Sequence, residues 1–194
     1  MMGTLQLSGI ILTAGLDKSD PLHPRLLEGL IQALSPLVDE CIVVAGNLPD
    51  FLDLDALLVG DPDEAPTLLS ALHAGLSHAG SSHALVLSWQ QPLVQPRLLQ
   101  TLLGRVESRW DLIAPAPAGR PVPFPAVYAG NYLKRIEHML SKGEHTFEPL
   151  FKRVRMKVVS EKVLRQNDPR LISFLNITQP DEEVKIRARM DSET

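Results

Sequence analysis

Apolar residues along this chain occur in two arrangements: short unbroken runs, and longer segments in which they recur every three or four positions. The runs are bounded by glycine, proline and polar residues and are typical of buried strands, whereas the second spacing is typical of amphipathic helices. The runs predict strands at 7–13, 41–45, 57–59, 84–87, 111–114, 124–128 and 156–159. The helical spacing predicts helices at 25–37, from Pro66 to near Gly80, at 96–105 and at 131–140, with a short one at 147–151 and a last one after 181.

The alternation of strands and helices predicts an α/β fold, with a mostly parallel sheet that is covered on both faces. We place the strand at 124–128 at a sheet edge, because the prolines around it cannot donate to a strand ladder. The length of 194 residues fits one domain, which we assign to 1–186. The remaining residues, 187–194, are polar, and we expect this tail to fray.

Composition and charge argue against several classes of protein. The net charge of -4 disfavours nucleic acid as the main partner, because phosphate binding requires a basic face. The one basic run, at 152–157, is interpreted as a solvated strand edge rather than an anion site. No apolar run approaches the roughly 20 residues that span a bilayer, and the N-terminus does not resemble a signal peptide. We therefore expect a cytoplasmic protein that does not contact a membrane.

We do not expect the cysteine or the histidines at 73, 78 and 83 to form a catalytic or metal-binding site. Cys41 lies within a predicted strand, and we expect its thiol to be buried and unreactive. Since it is the only cysteine, no internal disulfide can form. His73, His78 and His83 are spaced by five, which does not place them on one helical face as a metal-binding pair. We expect all three to be surface residues.

The most apolar strand, at 84–87, is the one around which a site is expected. It stops abruptly in Ser88-Trp89-Gln90-Gln91, and Pro92 follows. In an open α/β sheet, ligands bind at the carboxyl ends of the strands, so this loop should face the site. The loop holds two amides and an indole but no carboxylate.

Taken in order, these segments resemble the MobA-like nucleotidyltransferases, which attach GMP or CMP to molybdopterin. The resemblance covers nearly the whole chain and rests on order and spacing rather than on one motif. It is carried by Gly-Ile-Ile-Leu-Thr-Ala-Gly at 9–15, Asp17-Lys18, and the segments 38–44, 59–61, 66–76, 119–121, 125–128 and 174–181. It implies a Rossmann-like, three-layer α/β/α nucleotidyltransferase fold and a relation to molybdenum cofactor biosynthesis.

The resemblance also implies where the site lies. The nucleotide-binding residues that it implies are Leu12, Thr13, Ala14, Gly15, Lys18 and Asp61. The acceptor or site loop that it implies contains Trp89, Gln90 and Asn176. It implies no certain catalytic residue and no metal ligand.

Each of several implied site residues has a structural alternative. Lys18 meets a phosphate or is an exposed loop lysine, and Asp61 recognises the nucleotide or caps a turn. Asn176 lies near the acceptor or shapes its own loop. Ala45 stands where the family often has a polar, base-contacting residue. Asn47 either compensates for that loss or holds a turn, and we favour the turn.

The sequence departs from the family pattern at two places that the chemistry needs. The family loop has two adjacent glycines followed by an arginine and a lysine, whereas here Gly15 leads directly into 16–18 and the arginine is missing. The family places an aspartate two residues before a proline, and counting back from Pro92 that position is Gln90. Magnesium prefers anionic oxygen ligands, so this neutral amide is a poor replacement. Trp89 either stacks on a base or pterin ring or, as we favour, fills the vacated volume.

Two functional hypotheses follow. In the first, a weakly active or inactive relative binds a nucleotide, a molybdopterin-type ligand or a molybdoenzyme maturation protein. In the second, an active transferase uses Mg²⁺ and GTP or CTP, with a metal site rebuilt from Asp17, Asp61 and the substrate phosphates. A third alternative is an interaction module that uses the proline-rich stretch at 115–125.

Overall fold

Seven strands form one sheet in the computed structural model of the chain, which describes residues 6–16, 22–46, 54–60, 67–152 and 154–192. The strands are β1 (Leu7–Leu12), β2 (Glu40–Ala45), β3 (Leu57–Gly60), β4 (His83–Ser88), β5 (Leu112–Ala116), β6 (Ala126–Ala129) and β7 (Met156–Ser160). Their order across the sheet is β3-β2-β1-β4-β6-β5-β7. Only β6 runs antiparallel to its neighbours among these strands, so the predicted mostly parallel sheet is confirmed.

Helices cover both faces of the sheet and give the predicted three layers. The helices in the described residues are α1 (Leu22–Leu34), α2 (Leu68–His78), α3 (Pro96–Leu103), α4 (Leu133–Leu140), α5 (Glu161–Asn167) and α6 (Pro180–Ser192). Shorter 3₁₀ turns occur at Ser35–Leu37, Gly130–Tyr132, Glu148–Phe151 and Ile172–Phe174. Buried side chains of α1, α3, α5 and α6 share one core cluster, and those of α2 and α4 share a second on the opposite face.

The side chains of the strands alternate between these two clusters. On β1, Ile11 packs towards α1, whereas Ile10 and Leu12 pack towards α2. On β4, Leu85 and Leu87 belong to the first cluster. This period of two is the geometry of a pleated strand, and it explains why strands buried on both faces read as unbroken apolar runs.

The position of β6 corrects one prediction. The strand was expected at an edge, but it lies between β4 and β5, inside the sheet. The reason is that Pro121, Pro123 and Pro125 all precede its first residue, Ala126, so no proline occupies a position in this strand. The peptide bond between Phe124 and Pro125 is cis.

The helix boundaries differ from the predictions near prolines and caps. Helix α1 begins at Leu22, since Pro24 falls in the first turn, where a missing N–H is tolerated. It ends at Leu34 and tightens into a 3₁₀ turn that contains Pro36. Helix α2 is opened by Thr67 rather than Pro66: the Thr67 hydroxyl accepts a hydrogen bond from the Ser70 N–H at 3.1 Å, and the Ser70 hydroxyl accepts one from the Thr67 N–H at 3.0 Å.

The C-terminal part of the chain contains more helix than the sequence predicted. Helix α5 follows β7 directly and was not predicted, because its seven residues include only one buried side chain, Leu164. Helix α6 continues to Ser192, through the segment that was expected to fray from residue 187. Met190 packs partly buried against the first core cluster, and this contact supports the last turns.

Two expectations about single residues have different outcomes. Burial and the nearby Asp55 raise the pKa of the Cys41 thiol to about 11, a direction that agrees with the predicted unreactive thiol, although the residue is only partly buried. His83 was expected at the surface but is buried, because it is the first residue of β4 and lies between β1 and β6. Burial lowers the pKa of His83. The described part of the chain holds no group of three side chains suited to a metal ion.

The basic run lies where it was predicted, at the solvent-facing edge. Strand β7 is an outermost strand of the sheet. The Arg155 guanidinium binds the Asp111 carboxylate at 2.5 Å, and the Lys157 amine lies 5.8 Å from the centre of the Trp110 ring. These cations therefore have protein partners. None of the helices in the described ranges is long and apolar enough to cross a membrane.

Candidate functional site at the carboxyl ends of the strands

The topology places a crevice at the carboxyl ends of β1 and β4. These two strands are paired, with Leu12 opposite Ser88, but the chain leaves β1 towards β2 and later enters β4 on the other side. Such a point, at which the connections diverge, is where open α/β sheets bind ligands. The candidate site therefore contains the turn after β1 and the loop after β4, as the sequence predicted.

Hydrogen bonds to β2 and within the turn itself fix the turn after β1. The N–H and the hydroxyl of Thr13 both donate to the Val44 carbonyl of β2, at 3.1 and 2.8 Å. The Leu16 N–H donates to the Thr13 carbonyl at 3.0 Å and closes the turn. Gly15 is exposed and has a φ of +75°, a conformation in which a side chain is strained. No described residue accepts a hydrogen bond from the Gly15 N–H, so this donor is open to a ligand.

Trp89 lies beneath this turn rather than above it. Its side chain is 5% exposed and belongs to the core cluster on the α1 face, two residues after Leu87 on the same side. The indole N–H donates to the Ala14 carbonyl at 2.9 Å, and the Trp89 backbone N–H donates to the Leu12 carbonyl at 3.1 Å. The ring is therefore not available to stack on a base or pterin, and it fills core volume rather than the crevice.

The loop after β4 is tied to the late loop before α6. The Gln90 N–H contacts the Ser88 hydroxyl at 3.3 Å, and the Gln90 carbonyl accepts a hydrogen bond from the Ile177 N–H at 2.8 Å. Gln91 donates its N–H to the Ser88 carbonyl at 3.0 Å. The predicted proximity of Gln90 and the segment around Asn176 is thus observed, although the sequence separates them by more than 80 residues.

The contacts of Asn176 fit its structural alternative. Its side-chain oxygen accepts hydrogen bonds from the N–H and the hydroxyl of Thr178, at 2.9 and 2.8 Å. Its backbone N–H donates to the Glu182 carboxylate at 2.6 Å. Sequence reasoning missed Glu182, which stands in the first turn of α6; an acidic residue is favourable there, and this position was the available signal.

Of the remaining predicted site residues, some lie at the carboxyl ends of the strands and others fall outside the described residues. Leu12, Thr13, Ala14 and Gly15 lie together at the turn after β1. Lys18 and Asp61 lie outside the described residues, as do Asp17 and Asn47. Ala45 is the last residue of β2 and is buried opposite Gly60, so it presents no polar side chain to the crevice.

The described donors at this edge do not fit magnesium. This cation requires anionic oxygen ligands in an octahedral arrangement. The side chains here are the buried hydroxyl of Ser88, the last residue of β4, and then the indole of Trp89 and the neutral amides of Gln90 and Gln91. Within the described ranges, no cluster of acidic or histidine side chains compensates for them.

The protein has the α/β nucleotidyltransferase fold. A crystal structure of molybdopterin-guanine dinucleotide biosynthesis protein A from Archaeoglobus fulgidus is similar, with a TM-score of 0.76 and 21% identity over 96% of this chain and 100% of that one. The 2-C-methyl-D-erythritol 4-phosphate cytidylyltransferase of Thermus thermophilus has a TM-score of 0.69 and 19% identity, covering 95% and 98%. At these identities the likeness concerns the fold.

The chain belongs to the MobA-like NTP transferase domain family, whose model matches residues 22–157. Its similar proteins include the molybdenum cofactor guanylyltransferase of Desulfosudis oleivorans, 29% identical over 84% of this chain and 81% of that protein. A probable molybdenum cofactor guanylyltransferase of Pelotomaculum thermopropionicum is 26% identical over 97% and 95%. The family match begins after β1 and the glycine turn, which is the region where the sequence departs from the family pattern.

Proposed function

We propose that this protein binds a nucleotide or a molybdopterin-type ligand in molybdenum cofactor biosynthesis, and that it transfers nucleotides slowly or not at all. Membership of the MobA-like family and the names of the similar guanylyltransferases support the pathway. Slow or absent nucleotide transfer is inferred from one observation. The neutral Gln90 follows the central strand at the position where the resemblance places a metal-binding aspartate.

The effect of this replacement on catalysis follows from charge. Nucleotidyl transfer requires a phosphate cradle and positive charge against the developing negative charge. If loss of the metal carboxylate removes about 4 kcal/mol of transition-state stabilisation, the rate falls by about a thousandfold. Ligand binding depends less on that carboxylate, because the turn still offers the Gly15 N–H, from which no described residue accepts a hydrogen bond.

The second candidate is an active transferase that transfers GMP or CMP to molybdopterin. The observation that favours it is positional: Asp17 and Asp61 follow shortly after the ends of β1 and β3 in the sequence. Both carboxylates would have to act with substrate phosphates to hold Mg²⁺. Activity in a magnesium-dependent assay would decide for this candidate.

The interaction module is the least supported of the three alternatives. The proline-rich stretch packs on its own domain: the Val122 N–H donates to the Pro115 carbonyl at 2.9 Å, and the Tyr128 hydroxyl donates to the Pro123 carbonyl at 2.9 Å. Phe124 within it is buried. A stretch with these contacts has fewer groups left for a partner.

Calorimetric titration with GTP, CTP and ATP, each with and without MgCl₂, tests the proposal. We expect GTP or CTP to bind with little dependence on magnesium and without pyrophosphate release in the presence of molybdopterin. Magnesium-dependent binding with turnover would instead establish the active transferase. Absence of binding by all three nucleotides and by molybdopterin would contradict both candidates.

The variant Gln90→Asp tests the metal position directly. We expect it to bind Mn²⁺ or Mg²⁺ more tightly in the presence of nucleotide than the parent protein does, because it restores an anionic oxygen at the end of β4. Gln100→Asp is the matched control, since it adds the same charge at an exposed position on α3. Equal metal binding by the two variants would mean that more of the metal site than this one residue has been lost.

A further inference from the structure

Trp89 connects the central strand to the glycine turn through its side chain as well as its backbone. The indole N–H donates to the Ala14 carbonyl at 2.9 Å, and this bond is buried. The backbone N–H of Trp89 donates to the carbonyl of Leu12, the last residue of β1, two residues before Ala14. A buried donor that loses its acceptor is penalised, so the Ala14 carbonyl is held towards the indole.

This contact fixes the direction of the next amide. In a trans peptide, the carbonyl of Ala14 and the N–H of Gly15 lie in one plane and point in opposite directions. The Ala14 carbonyl points at the buried indole, and consequently the Gly15 N–H points away from the core. Gly15 is exposed, and none of the described residues accepts a hydrogen bond from this N–H.

We propose that Trp89 is a positioning residue for phosphate binding: its indole N–H sets the Ala14–Gly15 peptide plane so that the Gly15 N–H meets a phosphate of the nucleotide. The inference rests on the proposed nucleotide binding. The turn has one glycine and no arginine before Lys18, so few donors are available and the direction of each one matters more. A donor that is oriented before the ligand arrives need not reorganise on binding.

The indole N–H can be separated from the ring by substitution. Trp89→Phe keeps an aromatic ring in the core but removes the donor to Ala14 together with part of the indole volume, so the Ala14–Gly15 peptide is no longer held by this hydrogen bond. Trp110→Phe is the matched control, since Trp110 precedes β5, at the amino end of the strands, and its indole N–H has no hydrogen-bond partner among the described residues. Thermal unfolding of both variants establishes that each is folded.

Calorimetry with GTP, inorganic tripolyphosphate and guanosine distinguishes a positioning role from a structural one. We expect Trp89→Phe to bind GTP and tripolyphosphate about tenfold more weakly than the parent protein, the size expected for one hydrogen bond to a charged group. Its affinity for guanosine should be unchanged, and Trp110→Phe should bind all three like the parent. Parent-like binding of GTP and tripolyphosphate by Trp89→Phe would overturn the positioning role alone, whereas absence of nucleotide binding by the parent would overturn the nucleotide-binding part of the proposed function as well.

A second measurement does not depend on the stability of Trp89→Phe. The chain has two tryptophans, so Trp110→Phe leaves Trp89 as the only indole fluorophore. We expect tripolyphosphate to change the emission of Trp89 in this variant, and to shift the Gly15 amide resonance of the ¹⁵N-labelled parent protein. Saturation with tripolyphosphate that leaves both signals unchanged would overturn the proposal.

Discussion

The two ends of the sheet use different chemistry, although the same strands connect them. At the amino end, carboxylates bind protein donors: Glu40 accepts from the Ser8 hydroxyl at 2.5 Å and the Gly80 N–H at 2.7 Å, and Asp39 accepts from the Leu7 N–H at 2.7 Å. At the carboxyl end, the described contacts of the turn after β1 and of residues 88–91 are made by hydroxyls, an indole and backbone groups.

Among the described residues, charged side chains therefore do not mark the site. The amino-end carboxylates are occupied by structural hydrogen bonds, which are stronger when one partner is ionised. At the carboxyl end, no described residue accepts a hydrogen bond from the Gly15 N–H. An open backbone donor in an exposed turn is a better indication of a ligand site here than the number of ionisable residues.

The largest expected effect is that of Glu40→Ala on stability. The substitution removes the acceptor of both the buried Ser8 hydroxyl and the Gly80 N–H, and we expect the free energy of unfolding to fall by about 2 kcal/mol. Urea denaturation measures this loss. Glu28→Ala, on the exposed face of α1, is the control and should change stability little.

The affinity of Glu40→Ala for GTP tests whether the two ends of the sheet are independent of each other. Because Glu40 lies at the end of β2 remote from the crevice, the folded variant should bind GTP as the parent does. A weakened affinity in the folded variant would show that the two ends are coupled.

The next effect is that of Gly15→Ala, which acts at the carboxyl end. At a φ of +75°, alanine is strained, and we expect a loss of about 1 kcal/mol in stability together with a weaker affinity for GTP. Gly143→Ala is the control, because Gly143 has a φ of +72° in the turn after α4 and similarly open surroundings. Both variants should lose similar stability, and only Gly15→Ala should lose affinity, as calorimetry can measure. Equal affinities would remove the turn after β1 from the site.

The smallest expected effect concerns Asp111 at the amino end. Hydrogen bonds from the Arg155 guanidinium, together with one from the Asn131 amide, lower the pKa of Asp111 to about 2, although burial opposes them. A carboxyl group whose pKa is lower in the folded state stabilises the protein above its ordinary pKa of 3.8, and this contribution is lost as the pH falls towards 2. The difference in melting temperature between the parent and Asp111→Asn should therefore shrink over this interval. A constant difference down to pH 2 would contradict the assignment.

Local pattern was sufficient to predict most of the architecture. The runs at 7–13, 41–45 and 84–87 are the parallel strands β1, β2 and β4, and the helical spacing after Pro96 is α3. The α/β class followed from the alternation of these elements, and the family from the resemblance of segments such as 9–15 and 59–61; both are confirmed. The pattern suffices because strands buried on both faces must be apolar throughout, and helices on one face must be apolar on one side.

Features that depend on long-range contacts were not predicted. Strand β6 was placed at an edge, yet it pairs with both β4 and β5, and His83 was placed at the surface, yet it is buried between strands. Helix α5 has too few buried residues to give a periodic signal. In each case, the neighbours that decide the outcome are distant in sequence.

The sequence by itself determined the fold class and the edge of the sheet at which a site is expected, because these depend on apolar periodicity and on the order of elements. It indicated the family through the resemblance of its segments. It also determined that a neutral Gln90 stands at the end of the central strand. Only the tertiary structure decided the direction of each polar group there. Ala14 and Trp89 are 75 positions apart in sequence, and the side-chain hydrogen bond that joins them depends on the packing of β4 beside β1.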